Sequence, residues 1–266
     1  MKLFGLGLVK NEVDVLEQSA RHALRWCERL HYLDNGSDDG TWELIEHLAK
    51  ATHGRVVAVG RHDGPFSDGL RGLVYDEVRH SLGRDDWWLQ LDADEFIEGD
   101  PRPAIRAAAA EGHNRIRVWQ AQFAFTDEDL AEWEAGRDDR TRPIQERRRW
   151  YRADWRESRL WRHDPGRAWG SGSQTYPEWA DSPSRWSLVN RHYQYRDPEQ
   201  IQRRVADRHG VFPHVTSPEW RAFVTPTAGL RHLGDGDVIH VDRVRFAAGQ
   251  VGHRLRQRGR RLQGVS

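Results

Sequence analysis

The chain has 266 residues, enough for one large domain or two small ones, and 31% of them are charged. Lys+Arg and Asp+Glu balance at 41 each, so net charge points to no polyanionic partner and no nucleic acid is expected. A single cysteine, Cys27, excludes an intrachain disulfide and suits a reducing cytosol, and the first apolar run stops at Lys10. No apolar stretch approaches a membrane span or a signal peptide, so a soluble cytoplasmic protein is expected.

In chain order, residues 3–9 read as a buried strand. Apolar positions Val13, Leu16, Ala20, Ala23, Leu24 and Cys27 fall at helical spacing over 13–29, with Asn11 and Asp14 as candidate caps. Residues 30–33 form a short strand ending at Asp34, followed by a dense turn signal, "DNGSDDGT". A helix over 42–50, a β-branched strand over 55–59 and a loop over 60–68 come next. Ser67 or Asp68 is placed to cap a helix reaching about His80, and 87–91 reads as a strand. The first hundred residues thus alternate strand and helix, which predicts an α/β fold: a mostly parallel sheet with helices on both faces. Beyond them we expect helices over 103–111, 126–134 and 198–209, and strands over 115–119 and 158–162. Residues 137–149 read as a basic solvated loop or lid, and 166–183 as loop. The tail from Arg243 carries seven arginines and no acid. One domain over 1–242 is expected, with halves 1–99 and 100–242, and 243–266 as a basic extension.

The strand in "WWLQLDADEFIEGD" runs into Asp92, Asp94, Glu95, Glu98 and Asp100. Carboxylates repel one another and are costly to desolvate, so a cation or water should meet them. In parallel sheets ligands bind beyond the carboxyl ends of the strands, where both Asp92 and Asp34 fall. On an extended chain Asp92 and Asp94 point the same way. An Asp-X-Asp pair suits Mg²⁺ or Mn²⁺, which keep waters and bridge to substrate phosphates; the plain alternative is an acidic surface turn. Glu95 faces away and suits a supporting role. In "LDNGSDDGT", Asp34 is placed to accept from a ribose or base, and Gly36 and Gly40 permit a tight turn. The alternative is an ordinary turn in which Asp38, Asp39 and Thr41 cap the next helix.

These segments, "LVKNEVDVLEQSARHALRWCERLHYLDNGSDDGTWELIEHL" and then "DDWWLQLDADEF", resemble the family 2-like glycosyltransferases of the GT-A fold over about residues 2–97. A later stretch, "NRHYQYRDPEQIQRR", is similar to that family's His-Tyr element. The resemblance implies a GT-A-like, nucleotide-diphospho-sugar transferase type of sheet and an inverting, metal-dependent glycosyltransferase. It implies Asp94 and His192 as ligands of Mn²⁺ or Mg²⁺. Lys10, Asn11, Glu12, Asp34, Asn35, Asp92, Tyr193 and Arg196 would contact the nucleotide sugar. Asn35 stands where many relatives carry Asp, which leaves the base open. Glu178 or Asp181 would be the base that deprotonates the acceptor, although Pro177 replaces the His that relatives carry before this acid. The acceptor would be a glycan, a lipid-linked glycan or a metabolite.

Thirteen tryptophans are many, and six of them crowd residues 150–186; one or two are expected in an acceptor cleft, with the rest packed. The basic tail suits a solvated end or peripheral contact with the inner membrane face. Two other readings carry weight. A nucleotidyltransferase would show a Gly-rich phosphate loop after the first strand, which "LVKNEVD" lacks. A non-catalytic nucleotide- or carbohydrate-binding protein would keep the fold without turnover.

Overall fold

The computed structural model describes residues 1–170, 175–209, 212 and 215–243. In chain order the elements are β1 (Leu3–Val9), α1 (Leu16–Ala23), β2 (Arg29–Asp34), α2 (Thr41–Ala51), β3 (Val56–Arg61), α3 (Leu70–Val78), β4 (Trp87–Gln90) and β5 (Glu95–Ile97). There follow α4 (Arg102–Ala110), β6 (Arg115–Phe123), α5 (Asp127–Glu134), α6 (Ile144–Arg147), β7 (Trp150–Arg162), β8 (Pro183–His192), α7 (Pro198–Arg208) and β9 (Arg231–His232). The basic extension lies outside the described residues apart from Arg243.

One sheet runs in the order β3-β2-β1-β4-β7-β6-β8-β5, with β9 on β7. The first four strands are mutually parallel. Every residue of β1 is buried, as a strand covered on both faces requires. The second half then joins antiparallel, β7 on β4 and β6 on β7, while β6 and β8 are parallel. Side chains of α1, α2 and α4 pack with the sheet in one apolar cluster, and those of α3 in a second with Trp88, Trp161 and Trp169. Helices therefore lie on both faces, and the fold is of the expected α/β class. Trp87, Trp88 and Trp161 are wholly buried. Each such ring removes roughly 150–250 Å² from water, a gross gain on the order of 5 kcal/mol.

Several boundaries differ from the sequence reading. The helix expected over 13–29 is confined to α1; Val15, not Asn11 or Asp14, precedes it, and no side chain caps it. The chain then turns back, and the Glu28 amide donates to the Leu3 carbonyl at 2.7 Å, entering the sheet. Cys27 is buried in the core, as expected. Neither Ser67 nor Asp68 caps α3, which follows Gly69 without a side-chain cap. By contrast Thr126 and Asp129 form a reciprocal capping box on α5, and Asp197 accepts from the Gln200 amide ahead of α7, with Pro198 in its first turn.

The larger differences are β7, β8 and β5. β7 spans thirteen residues, "WYRADWRESRLWR", where a strand over 158–162 was expected. β8 occupies 183–192, and its His192 and Arg191 pair with Glu95 and Phe96 of β5. Nor is 137–149 a solvated loop throughout. Arg147 Nε and Nη2 each donate to an Asp138 oxygen at 2.9 Å, and Arg148 is buried against the same carboxylate. Against the upward push of burial, these hydrogen bonds hold the Asp138 carboxyl down at about 2.

Candidate functional site

The cleft opens where the parallel strands end. It has a volume of about 330 Å³ and takes in Lys10 and Glu12 past β1, Asn35 past β2, and Asp92 and Asp94 past β4. This is the usual ligand position for such a sheet. The turn after β2 shapes one wall. Gly36 and Gly40 have φ of 73° and 96°, a region open to glycine at little cost. Asp34 closes that turn by accepting from the Gly36 and Ser37 amides at 3.1 and 3.0 Å, with Arg61 Nε at 3.3 Å. It is fully buried and does not line the cleft, so it holds the turn together; the N-cap position of α2 is Gly40, not Asp38, Asp39 or Thr41, and carries no side-chain cap. Asn35 Nδ2 donates to the carbonyls of His62 and Gly64 at 2.8 and 2.9 Å, fixing the neighbouring loop. Asn11, at φ 56°, knits the first loop to the turn: its amide donates to Ser37 Oγ at 2.9 Å and its Oδ1 accepts from the Asp38 amide at 3.0 Å.

Arginines answer the carboxylate cluster. Asp92 lies 2.6 Å from Arg71 Nη2 and 3.2 Å from Arg159 Nη2. Against the upward push of burial, Arg71 and then Arg159 hold its carboxyl below the usual range. Glu95 is buried beneath, where Arg159 donates to both its oxygens and Gln120 Nε2 adds a bond at 2.9 Å. Burial still pushes Glu95 upward. Gln120 in turn accepts from Asn190 Nδ2 at 2.9 Å, so the polar layer runs from β8 to β4. Glu12 lies 2.6 Å from Arg196 and 3.1 Å from Arg204. Asp68 pairs with Arg71 at 2.6 Å, and Glu157 with Arg159 at 2.9 Å.

Asp94 and His192 meet at 3.3 Å, Oδ1 to Nε2. The β5–β8 register brings them together, and the Tyr193 amide donates to the Asp94 carbonyl at 2.9 Å. Burial opposes both charges, yet His192 holds the Asp94 carboxyl well below its usual range and Asp94 raises the imidazole. Among the described residues no group of three or more His, Cys, Asp and Glu side chains is arranged to hold a metal. The pair nonetheless fits two adjacent donors of one cation, since neighbouring octahedral ligands at about 2.1 Å sit about 3 Å apart. His192 Nδ1 is buried without a hydrogen-bond partner among the described residues. Ligand oxygens and water would have to complete such a shell.

The structure separates the other expected residues. Arg196 is fully buried, held by Asp14 at 2.7 Å and Glu12 at 2.6 Å, and does not line the cleft. Tyr193 is packed in the core, stacked on Phe123 with centroids 4.6 Å apart. Glu178 does not line the cleft, and Asp181 lines a different hollow with Arg84 and Arg162, where Asn114 Nδ2 lies 3.4 Å from it. No tryptophan is among the described cleft residues; the aromatic pair at this cleft is Phe66 and Phe212, 5.6 Å apart.

Sequence reading missed Arg71, Arg159, Arg204 and Arg208. Arg204 and Arg208 are one turn apart on α7, beside Ile201 and Val205, which are buried. Arg208 lies over the Phe212 ring at 5.3 Å and has no ion pair among the described residues, and neither has Lys10. Burial, with Arg204 beside it, pushes Arg208 down to about 10, still cationic at neutral pH. The four-residue spacing of Arg204 and Arg208 was the signal the sequence carried.

No protein-family model matches the chain, and no curated protein is significantly similar to it. Among solved structures, it is similar to GalNAc-T7 with UDP, GalNAc and Mn²⁺, at 12% identity over 74% of this chain and 44% of that one, TM-score 0.44. It is similar to the mannosyltransferase PcManGT from Pyrobaculum calidifontis in complex with GDP-Man and Mn²⁺, at 14% identity over 83% and 68%, TM-score 0.40. A putative glucose-1-phosphate thymidylyltransferase from Bacillus anthracis matches at 14% identity over 45% and 55%, TM-score 0.31. The chain thus spans less than half of GalNAc-T7 and about half of the thymidylyltransferase. Likenesses of this depth reach no further than the α/β architecture already described.

Proposed function

We propose that the chain is a metal-dependent, family 2-like inverting glycosyltransferase. It moves a sugar from a nucleoside-diphosphate donor to a glycan, lipid-linked or metabolite acceptor, in the cytoplasm or at the inner membrane face. One observation carries the reading. In a cleft at the carboxyl edge of parallel strands, each described lining carboxylate is already paired with a basic side chain, Arg71 and Arg159 each serving two of them, while Lys10 and Arg208 have no carboxylate partner among the described residues. Those two cations are left to meet a diphosphate.

The residues divide the work. Lys10, Arg204 and Arg208 draw in the diphosphate and receive the charge that develops on it as the sugar departs. Asp92, pinned by two guanidinium groups, accepts from a ribose hydroxyl. Asp94 and His192 would hold Mn²⁺ or Mg²⁺, which when bound neutralises charge on the departing diphosphate. The buried layer of Glu95, Gln120 and Asn190 keeps Arg159, and through it Asp92, in one rotamer.

A panel of UDP- and GDP-sugars, assayed for release of nucleoside diphosphate with Mn²⁺ and with EDTA, tests the reading. Release from one donor class, suppressed by the chelator, is expected. Neither release nor nucleotide binding under any condition would refute it.

A further inference from the structure

With Glu178 and Asp181 off the cleft, its acceptor side has no assigned base. Five described carboxylates line it. Glu12 and Asp94 are buried, and Asp68 and Asp92 both face Arg71. Glu157, also paired with an arginine, differs in origin: alone of the five it comes from the second half of the chain, on β7, with 29% of its side chain exposed against 33% for Asp68 and 26% for Asp92. Arg159 Nη1 lies 2.9 Å from Oε2, and Trp155 Nε1 donates to Oε1 at 3.0 Å. Each oxygen keeps a further lone pair for another donor. Trp155, two residues back on the same strand face, is itself 51% exposed. Trp155 and Trp186 are the exposed indoles among the described residues, each donating to a carboxylate, and of the two carboxylates it is the partner of Trp155 that lines the cleft. Sugars present apolar C–H faces that pack on such rings, and hydroxyls that such carboxylates accept from.

We propose that Trp155 and Glu157 form the acceptor subsite, Trp155 as the platform under the acceptor sugar and Glu157 as the base that takes its proton. This rests on the glycosyltransferase reading and names the residues of its acceptor side. The step balances without a co-reactant. The acceptor O–H bond breaks and the proton passes to the Glu157 carboxylate. The acceptor oxygen forms its bond to the anomeric carbon as the bond from that carbon to the diphosphate oxygen breaks. The electron pair leaves with the diphosphate, toward Lys10 and Arg208. Arg159 is a positioning residue: one guanidinium touches both Glu157 and Asp92, fixing acceptor and donor carboxylates relative to each other.

The test compares wild type, Glu157→Gln and Trp155→Ala in three readouts: affinity for UDP and GDP, the rate of nucleoside diphosphate release from UDP- and GDP-sugars with methyl glycosides as acceptors, and the pH profile of that rate. Glu157→Gln should bind nucleotide like wild type, turn over roughly 10²–10⁴-fold more slowly and lose the acidic limb of the profile. Trp155→Ala should raise the glycoside KM roughly tenfold with kcat little changed. A Glu157→Gln enzyme with wild-type kcat and pH profile overturns the base. An unchanged glycoside KM in Trp155→Ala overturns the platform. A wild type that binds neither UDP nor GDP overturns the glycosyltransferase reading itself, and the subsite with it.

Discussion

Replacing Arg159 by methionine removes the hub of the carboxylate layer. The guanidinium is 4% exposed and lies within 3.2 Å of Asp92, Glu95 and Glu157. Methionine fills similar volume but leaves Glu95, only 2% exposed, with Gln120 as its remaining hydrogen-bond donor. Breaking a buried pair from one side costs about 3–5 kcal/mol, because the orphaned charge stays desolvated. For a chain of this size that is a fall in Tm on the order of 10 °C. The defect should depend on pH with a definite sign. Burial already raises the Glu95 carboxyl, and losing Arg159 raises it further. A group whose folded pKa lies above its unfolded value binds more protons when folded, so the variant should regain stability as pH falls toward the ordinary glutamate range. Urea unfolding at pH 7 and pH 5 measures both quantities. Arg159→Met with Glu95→Gln should recover much of the loss at pH 7. A loss under about 1 kcal/mol, the same at both pH values, would mean that the layer is not the buried ionic unit described, since that is the range of surface pairs.

Arg208→Ala should weaken UDP or GDP binding roughly 10–100-fold, since a charge-assisted bond to phosphate contributes about 1.5–3 kcal/mol, while leaving Tm within a degree or two; calorimetry and thermal unfolding check the two halves. Glu178→Gln and Asp181→Asn should release nucleoside diphosphate at the wild-type rate, because neither side chain reaches the cleft. Asp138→Asn should flatten the acid limb of a plot of Tm against pH. The folded carboxyl is held at about 2 against an ordinary 3.8, so its contribution is present above 3.8 and lost as pH falls through 2.

The N-terminal half was legible because its strands carry apolar runs and its turns carry Gly and Asp at set places. The carboxyl-edge position of Asp92 and Asp94 followed from that alternation alone. β7 and β8 were not legible. "WYRADWRESRLWR" sets arginines among its aromatics, and arginine on a strand reads as solvent-facing unless its partner is known. Besides neighbouring Glu157, the partners of Arg159 are Glu95, 64 positions away in sequence, and Asp92, 67 away; only the closed sheet brings these together. The same long-range pairing displaced Arg196. In sequence it is a cation beside a His-Tyr element, and in the fold it is buried against Asp14 and Glu12 from the other end of the chain. The question of what meets the carboxylates was well posed from sequence, and the arginines that answer it lie scattered along the chain from Arg71 to Arg204.

The central claim is a diphosphate site built around Asp94 and His192. Calorimetric titration of UDP and of GDP, each with Mn²⁺ and with EDTA, on wild type and Asp94→Asn tests it most directly. We predict binding of one nucleotide by the wild type in Mn²⁺, weakened by chelator and by the substitution while the Tm shows the variant folded. Equal binding by both proteins with and without metal would contradict the account.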